Sequence, residues 1–152
     1  MANARASARA YLTVRSAGKL QREPWAQVGE LALKNVGATA AVNINARAGI
    51  TCLPRAQKIT EIILAHELET LQSSPTISVL GAGESTKMVF RMDTFDEAEC
   101  TFDDNGKLKL YAFGTVTYSD VARLVEHKLQ WCVYYSASDK GFYSCDVGNK
   151  TD

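Results

Sequence analysis

The chain has 152 residues, 46% hydrophobic and 22% charged, which is one domain's worth of sequence with enough apolar surface for its own core. Its 17 basic residues balance 17 acidic ones, so the electrostatic footprint of a nucleic-acid-binding protein is missing and no such partner is expected. No run approaches the ~20 apolar residues of a bilayer span, and the opening "MANARASARA" lacks the apolar core of a secretory signal.

Taken in chain order, period-two alternation dominates. "ARAYLTVR" sets Ala10, Leu12 and Val14 against Tyr11, Thr13 and Arg15, the pattern of a half-buried strand. A further strand, "GELALKN", leads into the turn "KNVGATA" (34–40), with Asn35 and Gly37 at positions that tolerate positive φ. "AVNINARAGI" then puts Val42, Ile44, Ala46, Ala48 and Ile50 on one face, with Asn43, Asn45 and Arg47 on the other.

"PRAQKITEIILAHELETLQSS" breaks this rhythm. Ile59, Ile62, Ile63 and His66 recur at helical spacing, beside Leu64, Leu68 and Leu71. They predict a helix of about four turns within 55–72, packed over a sheet edge. "LGAGES" reads as a turn, and "TKMVFRMD" as a strand with Met88, Phe90 and Met92 on one face. "TFDEAEC" predicts a short helical turn capped by Thr94, inside an acidic stretch that reads as solvated surface.

"KLKLYAFGTVTYSD" is a long strand whose inner face carries Leu108, Leu110, Ala112, Gly114, Val116 and Tyr118. Gly114 marks a bulge or a close backbone approach. Tyr111 and Phe113 lie on the opposite face, while Trp131 and Tyr135 share a face with His127, Leu129 and Val133. The four aromatics Tyr111, Phe113, Trp131 and Tyr135 form a candidate interaction surface if one of these faces is open. Cover by the 55–72 helix is the alternative.

"WCVYYSASDKGFYSC" reads as a hairpin centred between Ser138 and Asp139. That centre sets Cys132 opposite Cys145, Val133 opposite Ser144, Tyr134 opposite Tyr143 and Tyr135 opposite Phe142. Opposed Cβ atoms lie ~4.5–5.5 Å apart, near the reach of a disulfide. A bridge and two buried thiols both satisfy the pattern. Cys52 and Cys100 complete an even count without a pairing signal.

Cys132 and His127 fall on opposite faces of their strand, and His66 is the only other histidine. No tetrahedral metal site is expected, and no cofactor. Asp120 and His127 flank one loop and form the only acid–base pairing in view. Without a nucleophile motif, Asp120 reads as a turn cap with His127 donating to it, and Tyr118 as a hydroxyl tether nearby. No catalytic residue is assigned. "NKT" at Asn149 matches a glycosylation sequon that has meaning only in a eukaryotic secretory setting.

"LYAFGTVTYSD", "HKLQWCVYY" and "GFYSCDVGNKTD" resemble a motif of uncharacterised bacterial membrane-anchored proteins. That motif runs roughly G-x-(V/I)-x-Y-x-D, a short loop, H-x-T-x-F-C-x-x-Y, then F-x-x-C-x-x-x-N. Gly114, Val116, Tyr118, Asp120, His127, Cys132, Tyr135, Phe142, Cys145 and Asn149 match it, with Leu129 for its Thr, Trp131 for its Phe, and a loop without its Phe-Gly. "ARAYLTV" and "LALKNVGATAAVNI" resemble the same family's opening strand and N-x-G-x-T-x-A turn. The resemblance implies a domain carried behind membrane helices, with 1–8 as linker, 9–149 as domain and 150–152 as tail.

Short strands with polar turns predict an all-β, immunoglobulin-like antiparallel β-sandwich of about seven to nine strands, with one helical insertion. The first functional expectation is a non-catalytic sensing or protein-interaction domain of a membrane-anchored protein. The second is a small-molecule sensor, nucleotide second messengers included, with its ligand between sheet and helix. The third is an enzyme built on Asp120 and His127.

Overall fold

Strands with one apolar face must bury it against another layer, and the computed structural model does so with two antiparallel sheets facing across one core. It describes residues 9–15, 20–23, 26–69, 71, 77–93, 108–121, 125–136, 138 and 141–152. The linker 1–8, the Thr94-capped turn, Cys100 and residues 122–124 of the 121–126 loop lie outside the described residues.

One sheet contains β1 (Leu12–Arg15), β2 (Leu20–Glu23), β3 (Ala26–Asn35) and β6 (Ser85–Asp93); β3 has β1 and β2 on one side and β6 on the other. The second contains β4 (Ala41–Pro54), β5 (Ile77–Leu80), β7 (Leu108–Asp120), β8 (Glu126–Ser136), β9 (Gly141–Ser144) and β10 (Lys150–Thr151). Its order is β10-β8-β7-β4-β5, and β9 joins β8 beside β10. Ten strands are thus described instead of seven to nine. Lys150–Thr151, expected as tail, instead pairs with Gln130 and Leu129 as the short β10.

The core lies between the sheets. Ala10, Leu12 and Leu33 meet Ile44, Ala46, Leu110, Ala112, Val116, Tyr118, Leu129, Trp131 and Val133, all buried. The inner face predicted for β7 is the core face. Gly114 serves there as a close approach, without a bulge: a Cβ would overlap Arg47 O and stand 2.7 Å from Trp131 Cζ2. The β4 alternation slips once. A register shift between Val42 and Asn45, with Asn43 at φ 52°, turns Ala41 and Ile44 inward together and leaves Val42 only half-buried. Asparagine tolerates that left-handed conformation better than the β-branched residues around it.

The helical insertion is shorter than expected. Helix α1 (Glu61–Glu69) has 9 residues, and Thr60 caps it by accepting the Ile63 N–H at 3.3 Å. It lies on the outer face of the six-stranded sheet, over β7 and β4, and not over an edge. Leu64 is buried against Tyr111, Phe113, Cys132 and Cys145, with Ile59, Leu68 and Leu71 packed around them. Ile62 is 84% exposed and His66 also faces solvent, because the buried stripe follows 64, 68 and 71.

Candidate functional site

At one end of the sandwich, buried polar side chains fasten residues 9–12. Asn35 and Asp120 are both 0% exposed. Asn35 Oδ1 accepts from Gly37 N at 3.0 Å and Tyr11 N at 3.2 Å, while its Nδ2 donates to Thr39 O at 2.8 Å and Leu80 O at 3.0 Å. Asp120 accepts from Ala10 N through Oδ2 and from Thr39 Oγ1 through Oδ1, each at 3.0 Å. Tyr118 is the third tether, its hydroxyl accepting the Leu12 N–H at 3.3 Å. Buried polar atoms satisfied in this way hold one geometry.

Gly37 is needed here for its missing side chain. It does not adopt positive φ, and neither does Asn35. A Cβ on Gly37 would overlap Arg9 O and stand 2.5 Å from Tyr11 N.

His127 belongs to a different contact from the one expected. Its strand pairing puts it opposite Tyr118, with ring centroids 5.3 Å apart. Its Nδ1 faces Asp152 Oδ1 at 3.4 Å, and not Asp120, because β10 flanks β8 on the side away from β7. Asp152 also accepts from Lys128 N at 3.0 Å, and its carbonyl accepts from Arg9 Nη2 at 3.1 Å. Asp120 and His127 therefore form no acid–base pair.

The other end of β7 and β8 carries a cleft. The hairpin adopts the register predicted for it, including Tyr134 opposite Tyr143, and Cys132 is disulfide-bonded to Cys145 with Cα atoms 5.5 Å apart. Cys52 is also disulfide-bonded. Past the bridge the chain turns at Gly148, φ +87°, where a Cβ would overlap Leu64 Cδ2. The Asn149 side chain then substitutes for a strand: Oδ1 accepts from Cys132 N at 3.0 Å, and Nδ2 donates to Cys132 O at 3.1 Å and Cys145 O at 3.2 Å. The sequon asparagine is thus a structural pin.

These contacts hold segment 144–147 opposite the lead into α1, leaving a half-open cleft of about 440 Å³. Lys58, Ile59, Thr60 and Glu61 form one wall, Lys109, Tyr111 and Tyr134 the floor, and Ser144, Cys145, Asp146 and Val147 the other wall. Lys109 Nζ lies 3.8 Å from the centre of the Tyr134 ring and 5.6 Å from that of Tyr111, a cation held against two aromatic faces. Burial raises the pKa of Tyr111 above 10.0, opposed by a hydrogen bond from the Ile59 backbone. Glu61 Oε1 pairs with Lys150 Nζ at 3.2 Å.

The four aromatics named as a candidate surface are not an open patch. Tyr111 and Phe113 lie beneath α1, 4% and 1% exposed; Trp131 is in the core at 2%, and half-buried Tyr135 packs edge-on against Phe142 at 5.4 Å. Sequence reasoning missed Lys58, Lys109, Tyr134, Ser144 and Asp146 as site residues. Two signals for them existed: Lys109 precedes Tyr111 by one strand repeat, and the hairpin register pairs Tyr134 with Tyr143.

Among the described residues no helix is long and apolar enough to cross a membrane. No curated protein and no solved structure matches the chain. A family match covers residues 1–137 and stops before β9, so Cys145 and the 144–147 wall lie beyond it. The chain belongs to the family described as domain of unknown function DUF8453.

Proposed function

We propose that this chain is a non-catalytic sensing domain that seats a small ligand in the cleft between α1 and the six-stranded sheet. The observation that carries this reading is the cleft itself. Its volume of about 440 Å³ falls within the ~300–1,000 Å³ of small-molecule sites, and aromatic rings, an ordered ammonium and hydroxyls converge on it. Docking of a protein on the four candidate aromatics has less support, because Tyr111, Phe113 and Trp131 are buried.

The proposed parent is a bacterial membrane-anchored protein. Support for this is the resemblance of the Gly114–Asp120, His127–Tyr135 and Phe142–Asn149 segments to that group. An upstream anchor would join the domain at residues 9–12, which Asp120, Asn35 and Tyr118 fasten to the scaffold. The strand that supplies Lys109 and Tyr111 to the cleft supplies Tyr118 and Asp120 to those tethers, so one rigid element reaches from ligand to anchor. The described cysteines are all disulfide-bonded, and such bonds persist in oxidising compartments. The proposal therefore puts the domain outside the cytoplasm.

A thermal-shift screen of neutral sugars, amino acids, carboxylic acids and nucleotides tests the ligand seat, since binding to the folded state raises its stability. At least one class should raise the melting temperature of the wild type but not of Asp146→Trp, which puts an indole at the cleft from an exposed position on its wall. Stabilisation that persists in Asp146→Trp, or no stabilisation by any class, would contradict the proposal.

A further inference from the structure

We propose that two copies of this chain pair edge to edge through β6, joining their 4-stranded sheets into one; this is independent of what the cleft binds. The open edges of the fold are short almost everywhere. β1, β2, β5 and β9 have 4 residues each and β10 has 2, lengths that offer little to another strand. β6 is the exception. It has 9 residues, pairs with β3 along all of them, and among the described residues meets no strand on its other side. The phase of the ladder shows which of its groups face that side. Asn35 N donates to Glu84 O at 3.0 Å, one step beyond the Ser85 end of the β3–β6 register. Hydrogen-bonded pairs alternate along an antiparallel ladder, so Thr86, Met88, Phe90 and Met92 turn their backbone groups to β3. Lys87, Val89, Arg91 and Asp93 turn theirs to the open edge.

A second β6 laid antiparallel must match outward groups to outward groups, which leaves few registers. Centred on Val89, Lys87 would oppose Arg91; centred on Arg91, that residue would oppose its own copy. Like charges directly opposite destabilise a strand pair. Centred on Met88, Asp93 would run past the start of the other strand at Ser85. Centred on Phe90, Lys87 opposes Asp93 of the second copy, and by symmetry Asp93 opposes its Lys87. Val89 then opposes Arg91, Met88 opposes Met92, and Phe90 meets its own copy. The stretch "KMVFRMD" is thus charge-complementary to itself in one register. Met88, Phe90 and Met92 hold core-face register positions, since Thr86 in the same alternation lies opposite the buried Leu33. The junction therefore opposes apolar positions on one face and opposite charges on the other. β6 belongs to the sheet without the cleft, so the pairing leaves the cleft open.

Sedimentation equilibrium of the intact chain tests the proposal. One strand edge is a small interface, so a reversible dimer with a micromolar Kd is expected. Lys87→Asp or Asp93→Lys alone sets like charges opposite each other twice in the symmetric pair, and should weaken the dimer about tenfold. Lys87→Asp combined with Asp93→Lys restores opposite charges and should restore the dimer. Val89→Pro removes an outward N–H and should abolish the dimer while the dilute monomer keeps its fold. Phe90→Pro removes an N–H from the β3 ladder and should cost the fold itself. A wild type that stays monomeric into the submillimolar range would overturn the proposal. So would a dimer indifferent to Val89→Pro and to both single charge reversals, or a double reversal that binds no better than either single one. Val89→Pro as damaging to the dilute monomer as Phe90→Pro would overturn it too, by showing the edge already occupied within one chain.

Discussion

Asp120 and Ala10 are separated by 110 positions in sequence, yet the buried carboxylate accepts the Ala10 N–H at 3.0 Å. Its second oxygen accepts from Thr39, so one side chain joins β7, the turn after β3 and the lead into β1. Asp120→Ala leaves a buried N–H and a half-buried hydroxyl without their acceptor. The expected loss is about 2–5 kcal/mol of unfolding free energy. Asp120→Asn keeps the shape and should lose roughly half as much. Urea denaturation of the two variants checks the order.

Two glycines should fail for different reasons when changed to alanine. At Gly37 the added Cβ meets the backbone of residues 9–11, and backbone there can move only by breaking the Asp120 and Asn35 contacts. The expected cost is ~1–3 kcal/mol or more. Gly83, at φ +79°, has open space around it, so its alanine variant should lose only the ~1–2 kcal/mol of left-handed strain. Melting temperatures of both variants separate the steric cost from the conformational one.

Helix α1 is held through Leu64. Leu64→Ala should cost about 2–5 kcal/mol, as for other buried leucines, and should loosen the wall of the cleft. Ile62→Ser, one turn face away and 84% exposed, should stay within ~0.5 kcal/mol of the wild type. Hydrogen exchange along the helix should quicken in the first variant and not in the second.

The Cys132–Cys145 bridge closes a loop with a sequence separation of 13. Cys132→Ala combined with Cys145→Ala should lower stability by roughly 3 kcal/mol on loop entropy. Non-reducing peptide mapping of the wild type should recover the two cysteines in one linked pair.

Tyr111 supplies a pH dependence whose sign follows from its burial. Its folded pKa lies above 10.0, so the unfolded chain releases this proton first as the pH rises. The stability contribution is fully present below pH 10.0 and is lost as the pH climbs through the folded value. Tyr111→Phe should flatten the alkaline arm of the stability profile. Denaturation midpoints between neutral pH and strongly alkaline buffer measure it.

What the sequence revealed, and what it hid, follows the range of each interaction. The 131–145 hairpin register was legible because a local turn centre fixes every pair, from Val133 with Ser144 to Tyr135 with Phe142. The core face of β7 was legible from alternation alone. The β4 alternation misled at Val42, because the register shift beside Asn43 is set by pairing with β5 and β7. His127 was assigned to the wrong carboxylate for a similar reason: only the return of β10 beside β8 brings Asp152 to it. The cleft was hidden most deeply, since its walls come from 58–61, 109–111, Tyr134 and 144–147. Helical periodicity also overstated α1, because Ile62 continues an apolar stripe that the sheet does not meet.

Chemical-shift mapping of the intact domain, titrated with whichever probe most raises its melting temperature, tests the ligand seat most directly. The account predicts perturbations confined to 58–61, 109–111, Tyr134 and 143–147. Perturbations centred on the 36–40 turn and Asp120 instead, or scattered over both sheets, would contradict it.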